Sequence, residues 1–160
     1  MIRANLVRKK QSGATFADKI MGDVDLVGTL ASYSFGMANW ANRNPKMREL
    51  MEKYLGIHKD RLLPDFHSET FAKWIKNHRP APPASSDKQK VALFYTCTVN
   101  YNEPQIGKAS IAVLEKNAVD CAVPPQQCCG LPFLDGGQVD KAIAKIKKNV
   151  EKTVARIPTG

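Results

Sequence analysis

Cys128-Cys129-Gly130, with Cys97 standing 31 positions upstream, restricts the fold of this chain more than any other feature. Neighbouring cysteines make a poor disulfide, because a ring closed through adjacent residues strains both the S–S geometry and the peptide bond. They serve well as a pair of thiolate ligands, and the glycine behind them lets backbone approach a bulky group closely. Cys97 lies just beyond the apolar run 91–95. A chain that uses these sulfurs together must therefore bring two separate loops to one edge.

The segments around them have the grammar to do so. Residues 91–95 form a short continuous apolar run of the kind found in a buried parallel strand. Asn102 and Pro104 open a helix whose apolar face is Ile106, Ala109, Val113 and Leu114. Residues 119–123 read as a second strand, ended by Pro124-Pro125. Asp135 and Gln138 have the spacing of a capping box, and Val139, Ala142, Ile143, Ile146, Val150 and Val154 follow at helical intervals. Strand–helix–strand–helix at these lengths predicts parallel strands with crossover helices. In such a unit the loops at the carboxyl ends of the strands form the ligand crevice, and both cysteine segments fall there.

Upstream the pattern is helical. Residues 20–42 are mostly apolar and end at Asn44-Pro45, which then cap and start a helix through Met47, Leu50, Met51, Tyr54 and Leu55 to Gly56. A short helix is predicted near 71–75. Trp40 and Trp74 are expected to pack this layer, and His58, His67 and His78 to sit at surface or capping positions. The expected organisation is a helical linker or adaptor segment over 1–78, a proline-rich hinge over 79–88, and a partial α/β domain over 89–160. The fold class is thus α/β, with helices followed by a partial Rossmann-like parallel β-α-β-α unit.

Four cysteines in 160 residues are too few for a disulfide scaffold, and no secretory leader opens the sequence, so a reducing cytoplasm is expected. There, clustered cysteines point to metal or redox chemistry. Zinc prefers four ligands, commonly in C-x2-C pairs, and none is present. A cluster with several irons accepts vicinal thiolates better than one tetrahedral ion does. Iron–sulfur binding by Cys97, Cys128 and Cys129 is the favoured reading, with zinc, a metal-free vicinal redox pair and buried structural cysteines as its rivals. Cys121, in mid-strand, reads as core.

Net charge is +9, with 16 Lys/Arg against 9 Asp/Glu in residues 1–90. No nucleic-acid-binding signature accompanies that excess, so no nucleic-acid partner is expected. The uncharged stretch 26–40, beside Arg43, Lys46 and Arg48, is too short to span a bilayer. It suits packing on a neighbouring domain better than lying on a membrane surface.

Phe94-Tyr95-Thr96-Cys97-Thr98-Val99-Asn100-Tyr101-Asn102-Glu103-Pro104-Gln105-Ile106-Gly107 and Gln127-Cys128-Cys129-Gly130-Leu131-Pro132 together resemble the cysteine-rich CCG domain of iron–sulfur oxidoreductases. That domain occurs in one component each of heterodisulfide reductase and of anaerobic glycerol-3-phosphate dehydrogenase. Asn39-Trp40-Ala41-Asn42-Arg43-Asn44 and Leu55-Gly56-Ile57-His58-Lys59-Asp60-Arg61 are similar to the segment preceding the domain in the latter branch. The resemblance implies an electron-transfer module with a [4Fe-4S] type cluster on Cys97, Cys128 and Cys129. It also implies partners: a flavin-containing dehydrogenase subunit, a ferredoxin-like iron–sulfur module, and a quinone or the cytoplasmic face of the inner membrane. The family's ferredoxin cysteines, late cysteines and second CCG repeat have no counterpart here, so the chain looks like an excised central piece of such a protein or a drastically shortened relative. The other branch implies the alternatives, a thiol–disulfide reductase module or a cluster-free interaction fragment.

Overall fold

The computed structural model describes residues 2–79 and 89–155. Five helices come first: α1 (Ile2–Ser12), α2 (Phe16–Gly22), α3 (Val24–Tyr33), α4 (Met37–Arg43) and α5 (Pro45–Leu55), followed by α6 (Phe71–Asn77). Then come β1 (Lys90–Ala92), α7 (Cys97–Tyr101), α8 (Pro104–Lys116), β2 (Asp120–Ala122), α9 (Leu131–Asp135) and α10 (Val139–Val154). The hinge expected at 79–88 falls outside the described residues from position 80 onward.

The two strands pair in parallel, with Val91 opposite Cys121, and α8 is the crossover between them. The α/β class with a parallel β-α-β-α unit is therefore what the chain adopts. Both strands are shorter than the apolar runs suggested. Neither is buried on both faces: Lys90, Ala92 and Asp120 are exposed. Two short strands cannot carry a sheet alone. Packing of helices around them supplies the core.

Asn44 caps α5 by accepting the Lys46 and Met47 N–H groups, Pro45 sits in its first turn, and Gly56 ends it in a left-handed conformation. Several expectations need correction. Asn102 does not cap the crossover helix: it ends α7, and Glu103 precedes Pro104 with no side-chain cap. The apolar stretch 20–42 is three helices, because Asp23 interrupts it and caps α3, and the turn at 34–36 interrupts it again. In that turn Phe35 and Gly36 both have positive φ. The capping box at Asp135 does not form: Asp135 closes α9, while Gln138 sends its side-chain amide to the Asp18 carbonyl at 3.2 Å. Finally, α10 is present but turned. Its buried residues are Ala142 and Asn149, while Ile143, Ile146, Val150 and Val154 are exposed.

The core centres on Phe71 at the start of α6, which has no exposed surface and packs against α8 and the end of β1. Its ring stacks on Trp74 at 5.8 Å and meets Tyr95 edge-on at 5.0 Å. Trp40, by contrast, stays exposed on the outer side of α4. The helical layer joins the α/β unit where Tyr101 lies flat on Gly28, where a methyl group would come within 2.5 Å of the ring. Replacing Gly28 by alanine is expected to force α3 away from α7 and destabilise the chain by about 1–3 kcal/mol, as overpacking does. A denaturant titration measures that loss.

Candidate metal centre

Both cysteine segments emerge from the carboxyl edge of the sheet. After β1 the chain turns at Thr96, which caps α7 by accepting the Val99 N–H, so Cys97 is the first residue of that helix. After β2 it runs through Pro124-Pro125 to Cys128-Cys129-Gly130 and into α9. Gln126 links the two segments by donating to the Tyr95 carbonyl at 2.6 Å.

Cys97 and Cys128 lie near enough to perturb each other, with the Cys128 thiol as hydrogen donor toward the Cys97 sulfur. That interaction, helped by the N–H groups of Thr98 and of Cys97 itself, holds the Cys97 thiol well below its ordinary range, to about 6. The Cys128 thiol goes up, because it supplies the hydrogen and is desolvated. The Gly130 N–H also points to the Cys128 sulfur. One proton thus serves two sulfurs. In the metal-free protein, alkylation of Cys97 is expected to follow pH with a midpoint near 6. Replacing Cys128 by alanine moves that midpoint up toward an ordinary thiol, as pulse-labelling with peptide mapping will read.

Cys129 is exposed and lines an apolar groove with Phe94, Ile146 and Val150. It is close enough for its charge to act on Cys97. Cys121 stands apart in β2, with its thiol raised chiefly by burial and its sulfur donating to the Ala122 carbonyl at 3.9 Å. None of the three histidines comes to the thiols. His78 pairs with Glu115 at 2.7 Å and stacks on Trp74, while His58 is exposed.

Gly130 has φ +89°, and a side chain there would come within 3.1 Å of the Ala142 backbone. The glycine of the triplet is therefore needed for a left-handed turn beneath α10. Asn149 holds the same turn from above: its side chain accepts from Gln127 N–H at 2.8 Å and donates to the Gln127 and Cys128 carbonyls at 3.1 and 3.3 Å. Asp25 accepts the Cys128 N–H with both carboxylate oxygens, at 2.9 and 3.1 Å. Neither residue is recognisable from the sequence. A polar residue inside an amphipathic helix, or an acid in a first turn, looks the same whether it holds a distant loop or faces water.

Backbone N–H groups act on both the Cys97 and the Cys128 sulfur, and such groups tune the potential of thiolate-bound iron. Among the described residues no group of three or more Cys, His, Asp or Glu side chains is placed to hold a metal ion, so Cys129 is not drawn into one ligand set with Cys97 and Cys128. Cys97 and Cys128 are the two thiols of the predicted set that this fold brings near each other.

These thiols stand in a CCG cysteine-rich domain, whose family model, described as "Cysteine-rich domain", matches residues 91–156. The chain is homologous over much of its length to the C subunit of anaerobic glycerol-3-phosphate dehydrogenase. With that protein from Escherichia coli K12 it shares 34% identity over 135 residues, 82% of this chain and 33% of the relative. An uncharacterized iron-sulfur protein of Methanocaldococcus jannaschii is 41% identical over 70 residues, 43% of this chain and 14% of that protein. Lactate utilization protein A of Bacillus pumilus is 41% identical over 64 residues, 39% of this chain and 26% of that protein. The chain spans about a third of the length of the dehydrogenase relative. No solved structure matches it.

Proposed function

We propose that this chain binds an iron–sulfur cluster through Cys97, Cys128 and Cys129 and serves as an electron-transfer module of an anaerobic glycerol-3-phosphate dehydrogenase-like complex. One observation carries the reading: inside a CCG domain, the segments that follow the two parallel strands bring Cys97 and Cys128 near enough for each thiol to perturb the other. When bound, a [4Fe-4S] cluster supplies one-electron chemistry at a potential set by charge, hydrogen bonds and exposure. Cys97, Cys128 and Cys129 would hold three of its four irons, and the fourth would need a ligand from outside this set. The protein's own part is to fix the sulfurs, aim N–H groups at them and limit water. Burial of Cys128 does the last, whereas the exposed Cys129 marks the open side.

The proposed partners are a flavin-containing dehydrogenase subunit as electron donor and a ferredoxin-like iron–sulfur module. The proposed location is the cytoplasm, with the cytoplasmic face of the inner membrane as a peripheral contact. Among the described residues no helix is long and apolar enough to cross a membrane. Tyr33, Phe35, Met37 and Trp40 are exposed together beside Arg43 and Lys46, and no acidic residue lies between Asp25 and Glu49. That surface suits packing on a partner domain first, and its basic flank also suits a peripheral membrane contact.

A second reading has its own support in the neighbouring thiols, of which Cys97 is lowered and Cys128 raised. Cys97 and Cys128 could reduce a disulfide substrate to two thiols while closing to a disulfide themselves. Anaerobic reconstitution with ferrous iron and sulfide separates the two. A brown protein with equal iron and sulfide, bleached by dithionite, is the expected result. A colourless protein that keeps four titratable thiols would overturn the cluster reading, and one that loses two thiols to a disulfide substrate would establish the second.

A further inference from the structure

The helical layer touches the thiol site at two points, and both lie on α3. Asp25, in its first turn, receives the Cys128 N–H on both carboxylate oxygens. One turn on, Gly28 seats the ring of Tyr101, the last residue of the helix that Cys97 begins. The Tyr101 hydroxyl donates to the Asp25 carbonyl at 3.3 Å and lies 3.2 Å from the Thr29 hydroxyl. One helix therefore holds both thiol-bearing segments. Lys145 of α10 completes the arrangement, with its ammonium 2.6 Å from Asp25 and 3.3 Å from Asp23.

A carboxylate that accepts a backbone N–H on one side and a lysine on the other is fixed in place, and charge-assisted bonds of this kind are the stronger ones. Packing alone needs no charge here, since an apolar residue could fill the same corner. An acid that grips the amide of a buried cysteine sets where that cysteine's sulfur lies. Its charge also stands beside the sulfur, and Lys145 offsets it.

We propose that Asp25, held by Lys145, is a positioning residue that clamps the Cys128 turn against the Cys97 helix, so that the N-terminal helices form one wall of the thiol site. The clamp itself stands on the hydrogen bonds; only its effect on a redox potential rests on the cluster reading above.

Two measurements on the full chain test it. In metal-free protein, hydrogen exchange at the Cys128 amide is expected to be slow. Asp25→Ala should speed it by about tenfold or more, while the α8 amides keep their wild-type rates. Asp25→Asn, which retains one acceptor oxygen, should restore part of the protection, and it serves as the test if Asp25→Ala unfolds. An unchanged Cys128 rate in these variants would overturn the clamp. In reconstituted protein, Asp25→Asn removes a negative charge and should raise the midpoint potential, whereas Lys145→Met removes a positive one and should lower it. A merely structural role gives no such opposition of sign, and shifts in the same direction would overturn the electrostatic part. If the wild-type chain takes up no iron, the cluster reading fails, and the exchange measurement still decides the clamp.

Discussion

Replacing Cys128 by serine is expected to abolish iron uptake on anaerobic reconstitution, while Cys121→Ser takes up iron as the wild type does. The contrast follows from position. Cys128 is buried, and the Gly130 N–H and the Cys97 thiol both act on its sulfur. Serine there leaves an alkoxide donor of far higher pKa, which soft iron–sulfide clusters bind poorly. Cys121 lies within β2, opposite Val91, with its sulfur on the Ala122 carbonyl. Its hydroxyl replacement keeps the same acceptor and should cost little. Cys97→Ser should match Cys128→Ser, because Cys97 carries the proton-depleted sulfur of the pair. Cys129→Ser should also empty the site if the exposed neighbour is a ligand. Iron and sulfide analysis with visible absorbance reads all four, and equal loss including Cys121→Ser would overturn the ligand assignment.

That pair is legible in the sequence because local rules suffice to place it. Two apolar runs separated by a helix-length segment specify a parallel crossover, and the crossover puts residues 97 and 128 at one sheet edge whatever the details. The same holds for α5, whose start at Asn44-Pro45 and stop at Gly56 are chemical signals read within a turn. The short helices α7 and α9 are not legible in this way. Five residues carry too little periodicity, and what fixes them is the Thr96 cap and the left-handed Gly130.

The orientation of α10 departs further from expectation. Apolar spacing points its Ile143, Ile146 and Val150 inward, yet Asn149 and Lys145 are the side chains that reach the cysteine turn and the acid that holds it. A buried carbonyl and N–H left by an irregular loop need partners more than apolar surface needs cover, and each orphan costs about 1–3 kcal/mol. Polar satisfaction therefore overrides the hydrophobic face. The same competition hides Asp25: nothing near position 25 announces an unpaired amide at position 128.

Phe71→Ala is expected to be the most destabilising single change, by about 3–5 kcal/mol. Among the described residues only Phe71 and Pro104 rank as large side chains with essentially no exposed surface. Phe71 fills the space left by Gly107, where an added methyl would stand 2.5 Å from its ring, so no neighbour on α8 can close over the cavity. Its loss also removes the edge-on partner of Tyr95, whose carbonyl is the acceptor that ties Gln126 and the second cysteine segment to the first. Domains of this size hold about 5–15 kcal/mol in reserve, and a two-stranded sheet contributes little of it. The variant should therefore show a much lower denaturant midpoint and reduced iron uptake together. Phe71→Leu, which keeps most of the apolar volume, should recover part of both. If Phe71→Ala lost stability but kept full iron uptake, the coupling from this aromatic cluster through Tyr95 to the thiols would be wrong, and the cysteine loops would be held by the α3 and α10 contacts alone.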